Sequence, residues 1–144
     1  MSRRPWPGVI LACMLSTTNT GQAQPALAPC PDKPNCVSSL ATDQRHLVAP
    51  LHFTGEPAEA WSRLTSLLLG QPRARIITQQ GDYLHAEFRS LVFRFVDDVE
   101  FVMQAEQGLI HVRSASRSGY SDFGVNRRRV EHLREHFATP GPSG

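Results

Sequence analysis

Charged residues that alternation would bring onto shared faces are concentrated between Asp82 and Arg129. The period-two rule places His85, Glu87 and Arg89 on one side of a strand, and His111, Arg113 and Arg117 on one side of another. Asp97, Asp98 and Glu100 lie between them. A Ser-Gly-Tyr-Ser-Asp turn at 118–122 then leads into an arginine-studded helix start. Arginines held in register suit a carboxylate, a phosphate or a sulfated group. Backbone amides at the turn ahead of a helix add to anion affinity. Arg113, Arg117, Ser121 and Asn126 are therefore expected to contact an anionic ligand, with Asp97, Asp98 and Glu100 positioning the arginines. The same charges have a plainer use: a solvated sheet face laced with cross-strand ion pairs, each contributing about 0.2–1 kcal/mol. Asp122 has one too, as a cap of the last helix.

Catalysis asks more of these residues. Asp97, Asp98 and Glu100 could hold a divalent cation or supply paired carboxylates for acid–base work, with His111 nearby. The spacing works against this, because adjacent strand residues point to opposite faces unless a bulge intervenes. The chain contains no GxSxG, no cysteine–histidine pair in a catalytic context and no phosphate loop. His132-Leu133-Arg134-Glu135-His136 matches the HxxEH pattern of inverted zinc peptidases. The chain ends shortly after it, with no downstream helix for a third ligand. No catalytic residue, metal or cofactor is expected. The leading expectation is a non-enzymatic binding module for an anionic small molecule or a partner protein. The alternatives are a metal-dependent or acid–base hydrolase built on Asp97, Asp98 and Glu100, and an envelope assembly or scaffold factor.

The elements that must position these residues can be read from punctuation and periodicity. Residues 46–53 could form a strand, restricted by Pro50 to an edge or irregular position. Pro57 suits a first helical position, Trp61, Leu64 and Leu68 recur on one face, and Gly70 suits the stop. Strands are predicted over 73–80, 83–90, 92–95, 98–104 and 109–117, with turns at Gly81-Asp82 and Glu106-Gln107-Gly108. A helix follows over 124–137, with Val130, Leu133 and Phe137 on one stripe. Turns this short allow only antiparallel pairing. The expected fold is α+β: an antiparallel sheet of about 4–6 strands with two helices packed on one face. Leu84, Ala86, Phe88, Val99, Phe101, Ile110 and Val112 should form the buried side and meet Trp61, Leu64, Leu133 and Phe137.

The N-terminus reads as a targeting segment. Arg3 and Arg4 precede an apolar run from Val9 to Leu15, which is too short to span a membrane. Gly21-Gln22-Ala23 suits signal-peptidase cleavage, whereas Ile10-Leu11-Ala12-Cys13 loosely resembles a lipobox with Cys13 as the lipidated residue. The expected organisation is a signal peptide over 1–23 (or a lipoprotein signal ending before Cys13), a linker over 24–29, one globular domain over 30–137 and a disordered tail over 138–144. Either route removes Arg3 and Arg4. That takes two of the 15 basic residues and none of the 13 acidic ones, so the mature chain is neutral. A neutral domain lacks the basic surface that phosphate-backbone binding requires, so nucleic acid is not an expected partner. A membrane would be met only through a lipid on Cys13. Cys30 and Cys36 remain as an even pair. In an oxidising compartment they can close a disulfide; their spacing fits neither a CxxC redox motif nor common zinc sites. The expected location is the periplasm or cell envelope.

Three blocks carry a resemblance: Cys30 to Ser39, Phe95 to Phe101, and Arg113 to Arg127. Together they resemble the family called domain of unknown function 1499, over about residues 30–137. The resemblance implies an exported or lipid-anchored bacterial protein, with similar domains in photosynthetic eukaryotes, and implies no activity. His132 and His136 lie outside its motifs. Its signature runs through the acidic cluster and the Arg–Ser turn, which is where a common site would lie.

Overall fold

Alternation of apolar and polar residues from Tyr83 to Ser116 builds the centre of the fold. The computed structural model describes residues 26–139. Strands β1 (Cys36–Ser38) and β2 (Leu51–His52) precede helix α1 (Pro57–Leu69). Strands β3 (Ala74–Gln80), β4 (Tyr83–Arg89), β5 (Val96–Gln104) and β6 (Leu109–Ser116) follow, and helix α2 (Val125–Ala138) ends the described chain. The sheet runs β1-β6-β5-β4-β3, and β2 also pairs with β6. Every pairing between the named strands is antiparallel, and from β3 through β6 the short connections require it. The result is a six-stranded α+β domain.

β4, β5 and β6 alternate strictly between buried and half-buried residues until Ala115. Leu84, Ala86, Phe88, Val99, Phe101, Ile110 and Val112 fill the inner face. Against them lie Leu64 and Leu68 of α1 and Val130, Leu133 and Phe137 of α2, with Trp61 packed at the margin. Each fully buried side chain of this size contributes about 1.5–3 kcal/mol. Pro57 does occupy the start of α1, and Gly70 caps its end through amide bonds to Ser66 and Leu68.

The connections hold the departures from expectation. No strand forms over 92–95. The Ser90 amide donates to the Phe95 carbonyl, and the Phe95 amide to Ser90 Oγ, both at 2.9 Å. Residues 91–94 become the tip of a hairpin loop, with Arg94 at φ 54° allowing the chain to reverse. Apolar composition suggests a buried strand here, but Leu91, Val92 and Phe93 are 73–76% exposed. The expected strand over 46–53 is reduced to Leu51–His52 and one bridge from Leu47 to Ser38. β1 has only three residues, too few to show a period. Cys30 and Cys36 are disulfide-bonded with Cα atoms 5.6 Å apart, which fastens the chain ahead of the domain to β1. Residues 1–23, Cys13 and the tail beyond Thr139 lie outside the described residues.

Candidate functional site

The outer face of β4, β5 and β6 is a lattice of ion pairs. Glu100 stands opposite Arg113 in the ladder and accepts from Arg113 Nη1 at 3.0 Å and from the Tyr83 hydroxyl at 2.8 Å. Arg117 donates through both Nε and Nη2 to the two oxygens of Asp98, each at 2.7 Å, and also to Glu87. His85 Nε2 lies 2.6 Å from Asp98 Oδ1. These contacts set the ionisation of the face. The Arg117 hydrogen bond holds the Glu87 carboxyl below its ordinary value. Partial burial pushes Asp98 up, but the bonds from Arg117 and His85 outweigh it and leave the carboxyl lowered. Asp98 and then Glu87 raise Arg117 in turn. Burial, followed by the bond to Glu100, raises the Tyr83 phenol. Arg113 and Arg117 are thus brought together with Asp98 and Glu100, and their guanidinium groups already have carboxylate partners.

Asp97 points the other way. It is 7% exposed on the inner side of β5, and accepts from Arg129 Nη2 at 2.6 Å. Arg129 lies over the Phe88 ring, 4.7 Å from its centroid. Beside this pair, Asn126 is completely buried and fully bonded. Its Oδ1 accepts from Ser114 Oγ at 2.5 Å and from Arg129 Nη1 at 2.8 Å. Its Nδ2 donates to Ser116 Oγ, to Asp122 Oδ2 and to the Asn35 carbonyl. Asp122 also accepts from the amides of Gly124 and Asn126, so it serves as the anchor of the α2 start. Burial raises the Asp122 carboxyl; the Asn126 and Gly124 amides more than offset this and leave it lowered. Ser121 is exposed and accepts from the Phe123 amide at 3.2 Å. The seven residues expected to form one site are therefore divided by the sheet: Asp98, Glu100, Arg113 and Arg117 outside, Asp97 and Asn126 inside, and Ser121 on the turn.

The same geometry limits acid–base chemistry. Asp98 and Glu100 are held by arginines, and Asp97 is sealed under α2. His111 Nδ1 lies 3.1 Å from Ser39 Oγ, and its Nε2 lies 2.9 Å from Gln104 Oε1. Burial lowers the His111 imidazole, which favours the neutral ring. Ser39 Oγ also accepts from the Val112 amide at 2.9 Å, so this contact locks the chain after β1 onto β6. His132 and His136 sit on the exposed side of α2 with ring centroids 4.0 Å apart, and His136 Nδ1 bonds the His132 carbonyl. Among the described residues, no group of three or more His, Cys, Asp or Glu gathers as metal ligands would.

Three clefts on the described surface lie elsewhere. One of about 260 Å³ runs beside Leu27, Cys30, Ser38 and Thr42, and a smaller one of about 70 Å³ lies between Arg45 and Asp122. The third, of about 280 Å³, is lined by Arg73, Arg75, Arg89 and Arg94 with Leu91. Arg73 Nε donates to the Arg89 carbonyl at 3.1 Å, which fixes the two strands beside each other. Arg89 reaches Glu87 at only 3.5 Å. Among the described residues, Arg73, Arg75 and Arg94 form no ion pair.

Sequence reasoning placed Arg89 on the polar face but missed the cleft. The hairpin gives part of it to within one residue. Folding about Gly81-Asp82 sets Ala74 opposite Arg89, and a register shift between Ile76 and Thr78 moves the pairing by one, so that Arg75 faces Glu87, Ala74 faces Phe88 and Arg73 lies next to Arg89. Arg94 could not be found this way, because it sits in the loop that the expected strand concealed. Arg129, Ser114 and Asn35 were missed because their partners are remote in the chain.

No curated protein matches the chain. The profile of the family described as Protein of unknown function (DUF1499) matches residues 26–137, and the chain belongs to that family.

Proposed function

We propose that the mature chain is an exported, non-enzymatic binding module of the cell envelope, and that it takes a ligand presenting anionic oxygens. The observation that carries this reading is the cleft lined by Arg73, Arg75, Arg89 and Arg94. Arginine forks are suited to phosphate and carboxylate oxygens, and a hydrogen bond to an ionised group contributes about 1.5–3 kcal/mol. The outer sheet face supports the same division of labour. Arg113 and Arg117 are matched there by Glu100, Asp98 and Glu87, so they stiffen the platform, while the arginines of the cleft remain available. The Cys30–Cys36 disulfide fits an oxidising compartment such as the periplasm. The hydrolase alternative would require Asp98 and Glu100 to leave their arginines, and Asp97 to cross the sheet.

Titration with inorganic pyrophosphate tests the reading. The wild-type melting temperature should rise with ligand and the rise should shrink with added salt. Arg75→Glu with Arg94→Glu should abolish the rise without altering the ligand-free melting temperature. The double change Arg113→Ala and Arg117→Ala should lower stability and leave pyrophosphate binding in place. Loss of binding in that second variant, with binding kept in the first, would return the site to the outer face.

A further inference from the structure

The arginine cleft has an apolar neighbour. β4 ends at Arg89, β5 begins at Val96, β6 ends at Ser116 and β3 begins at Ala74. In an antiparallel sheet these four termini lie at one end. The contacts agree: the Arg89 amide bonds the Arg73 carbonyl at 3.2 Å, and the Arg117 amide bonds the Val96 carbonyl at 3.0 Å. Two loops leave this end. The hairpin tip carries Leu91 at 73%, Val92 at 76% and Phe93 at 75% exposure. Phe95 is 55% exposed behind it and stacks on Phe93 with centroids 5.5 Å apart. The turn after β6 carries Tyr120 at 67% and Phe123 at 86% exposure. Large apolar residues gathered this way, next to four arginines, are not ordinary surface.

Shape and charge select the occupant. Three consecutive side chains exposed to this degree form a protrusion, and a protrusion suits a medium that deforms around it. The charge at this end is positive, because the nearby carboxylates already have partners within the domain while Arg73, Arg75 and Arg94 form no ion pair among the described residues. Asp97 is held by Arg129, Asp98 and Glu87 by Arg117, and Asp122 by the amides of Gly124 and Asn126. Arginines flanking exposed Leu, Val and Phe fit the boundary between anionic headgroups and acyl chains.

We propose that this end of the sheet docks on an anionic phospholipid surface. Arg73, Arg75, Arg89 and Arg94 take lipid phosphates while Leu91, Val92 and Phe93 enter the acyl boundary. This rests on the reading of the arginine cleft as the anion site, and makes the bilayer headgroup its ligand. Such docking is independent of any lipid attached to Cys13.

The test uses the full chain with Cys13→Ser, so that no lipid can be attached. It is sedimented with phosphatidylglycerol–phosphatidylcholine vesicles and with phosphatidylcholine vesicles, and titrated separately with inorganic pyrophosphate. The expected result is stronger binding to the anionic vesicles. It should weaken about tenfold or more with Arg75→Glu and Arg94→Glu, and comparably with Leu91→Ser and Phe93→Ser, at unchanged melting temperature. Pyrophosphate binding that depends on Arg75 and Arg94, without preference for anionic vesicles, overturns membrane docking and leaves the anion site standing. Binding to neither overturns both. Vesicle binding that ignores the loop substitutions overturns the proposal. So does a photo-crosslinker at position 93 that labels an envelope protein rather than lipid.

Discussion

Asp97 and Asp98 stand back to back in β5, one sealed against α2 by Arg129 and the other held on the open face by Arg117. A single peptide bond separates a buried ion pair from a surface one. The two faces of the sheet consequently carry different kinds of polar chemistry: a wet lattice outside, and inside a closed clasp that binds β6 to α2.

Asp97→Ala should therefore destabilise the domain far more than Asp98→Ala. Removing one partner of a buried pair leaves the other charge uncompensated, at a cost of about 3–5 kcal/mol. Asp98→Ala leaves Arg117 free to hydrate and to keep Glu87. Urea unfolding of both variants checks the order. Equal losses, or a larger loss for Asp98→Ala, would show that the face assignment is wrong.

Asn126→Leu keeps the side-chain size and removes five hydrogen bonds from a fully buried position. Several buried groups then lack partners, each at about 1–3 kcal/mol, so the loss should reach at least about 3 kcal/mol. An Asn126 that served a solvent-borne ligand instead would lose binding at unchanged stability. Chemical denaturation alongside the pyrophosphate titration separates the two outcomes.

Stability should fall on both sides of neutrality, for different reasons. The carboxyls of Glu87, Asp98 and Asp122 lie below their ordinary values of 4.5, 3.8 and 3.8 in the folded chain. Their contribution is complete above those ordinary values and is lost as pH falls below them through the lowered ones. His46 works in the opposite sense. It is buried, its bond to Asp43 and then that to the Lys33 carbonyl raise it above 6.5, and its contribution is lost as pH rises through the raised value. His111, lowered by burial, offsets part of this by costing stability as pH drops below 6.5. Urea midpoints between pH 3 and pH 9 should show the alkaline decline shrinking in Asp43→Asn while the acid limb remains. An unchanged alkaline limb in that variant would remove His46 as its origin.

Much of the fold was legible because period-two alternation is a property of single residues. Knowing that Phe88 faces inward suffices to place Glu87 and Arg89 outward, and the same logic separated Asp97 from Asp98 before any contact was seen. The helix from Pro57 to Gly70 was legible for a similar reason, since its punctuation is local. The segment 92–95 misled because exposed Val and Phe look the same in sequence as buried ones. What distinguishes them is the Ser90–Phe95 contact that closes the loop. The clasp was invisible because it joins Asn35 to Asn126 across 91 positions. Candidate ligand groups were therefore chosen by charge density, which the outer face satisfies internally. The arginines of the cleft are spread over three segments, and only pairing register and a loop reversal collect them.

The pairing of β1 with β6 also sets an order in time. β1 is the first ordered strand to leave a ribosome or a translocation pore, and both of its anchors, β6 and Asn126, are made near the end. Neighbours in sequence supply one bridge, from Leu47 to Ser38, but β1 enters the sheet through β6. A nascent chain that stops short of β6 therefore lacks the strand that β1 pairs with. The disulfide, between residues six positions apart, and the bonds of Ser38 to His46 and Val48 join residues close in sequence and can form before the rest of the domain has arrived.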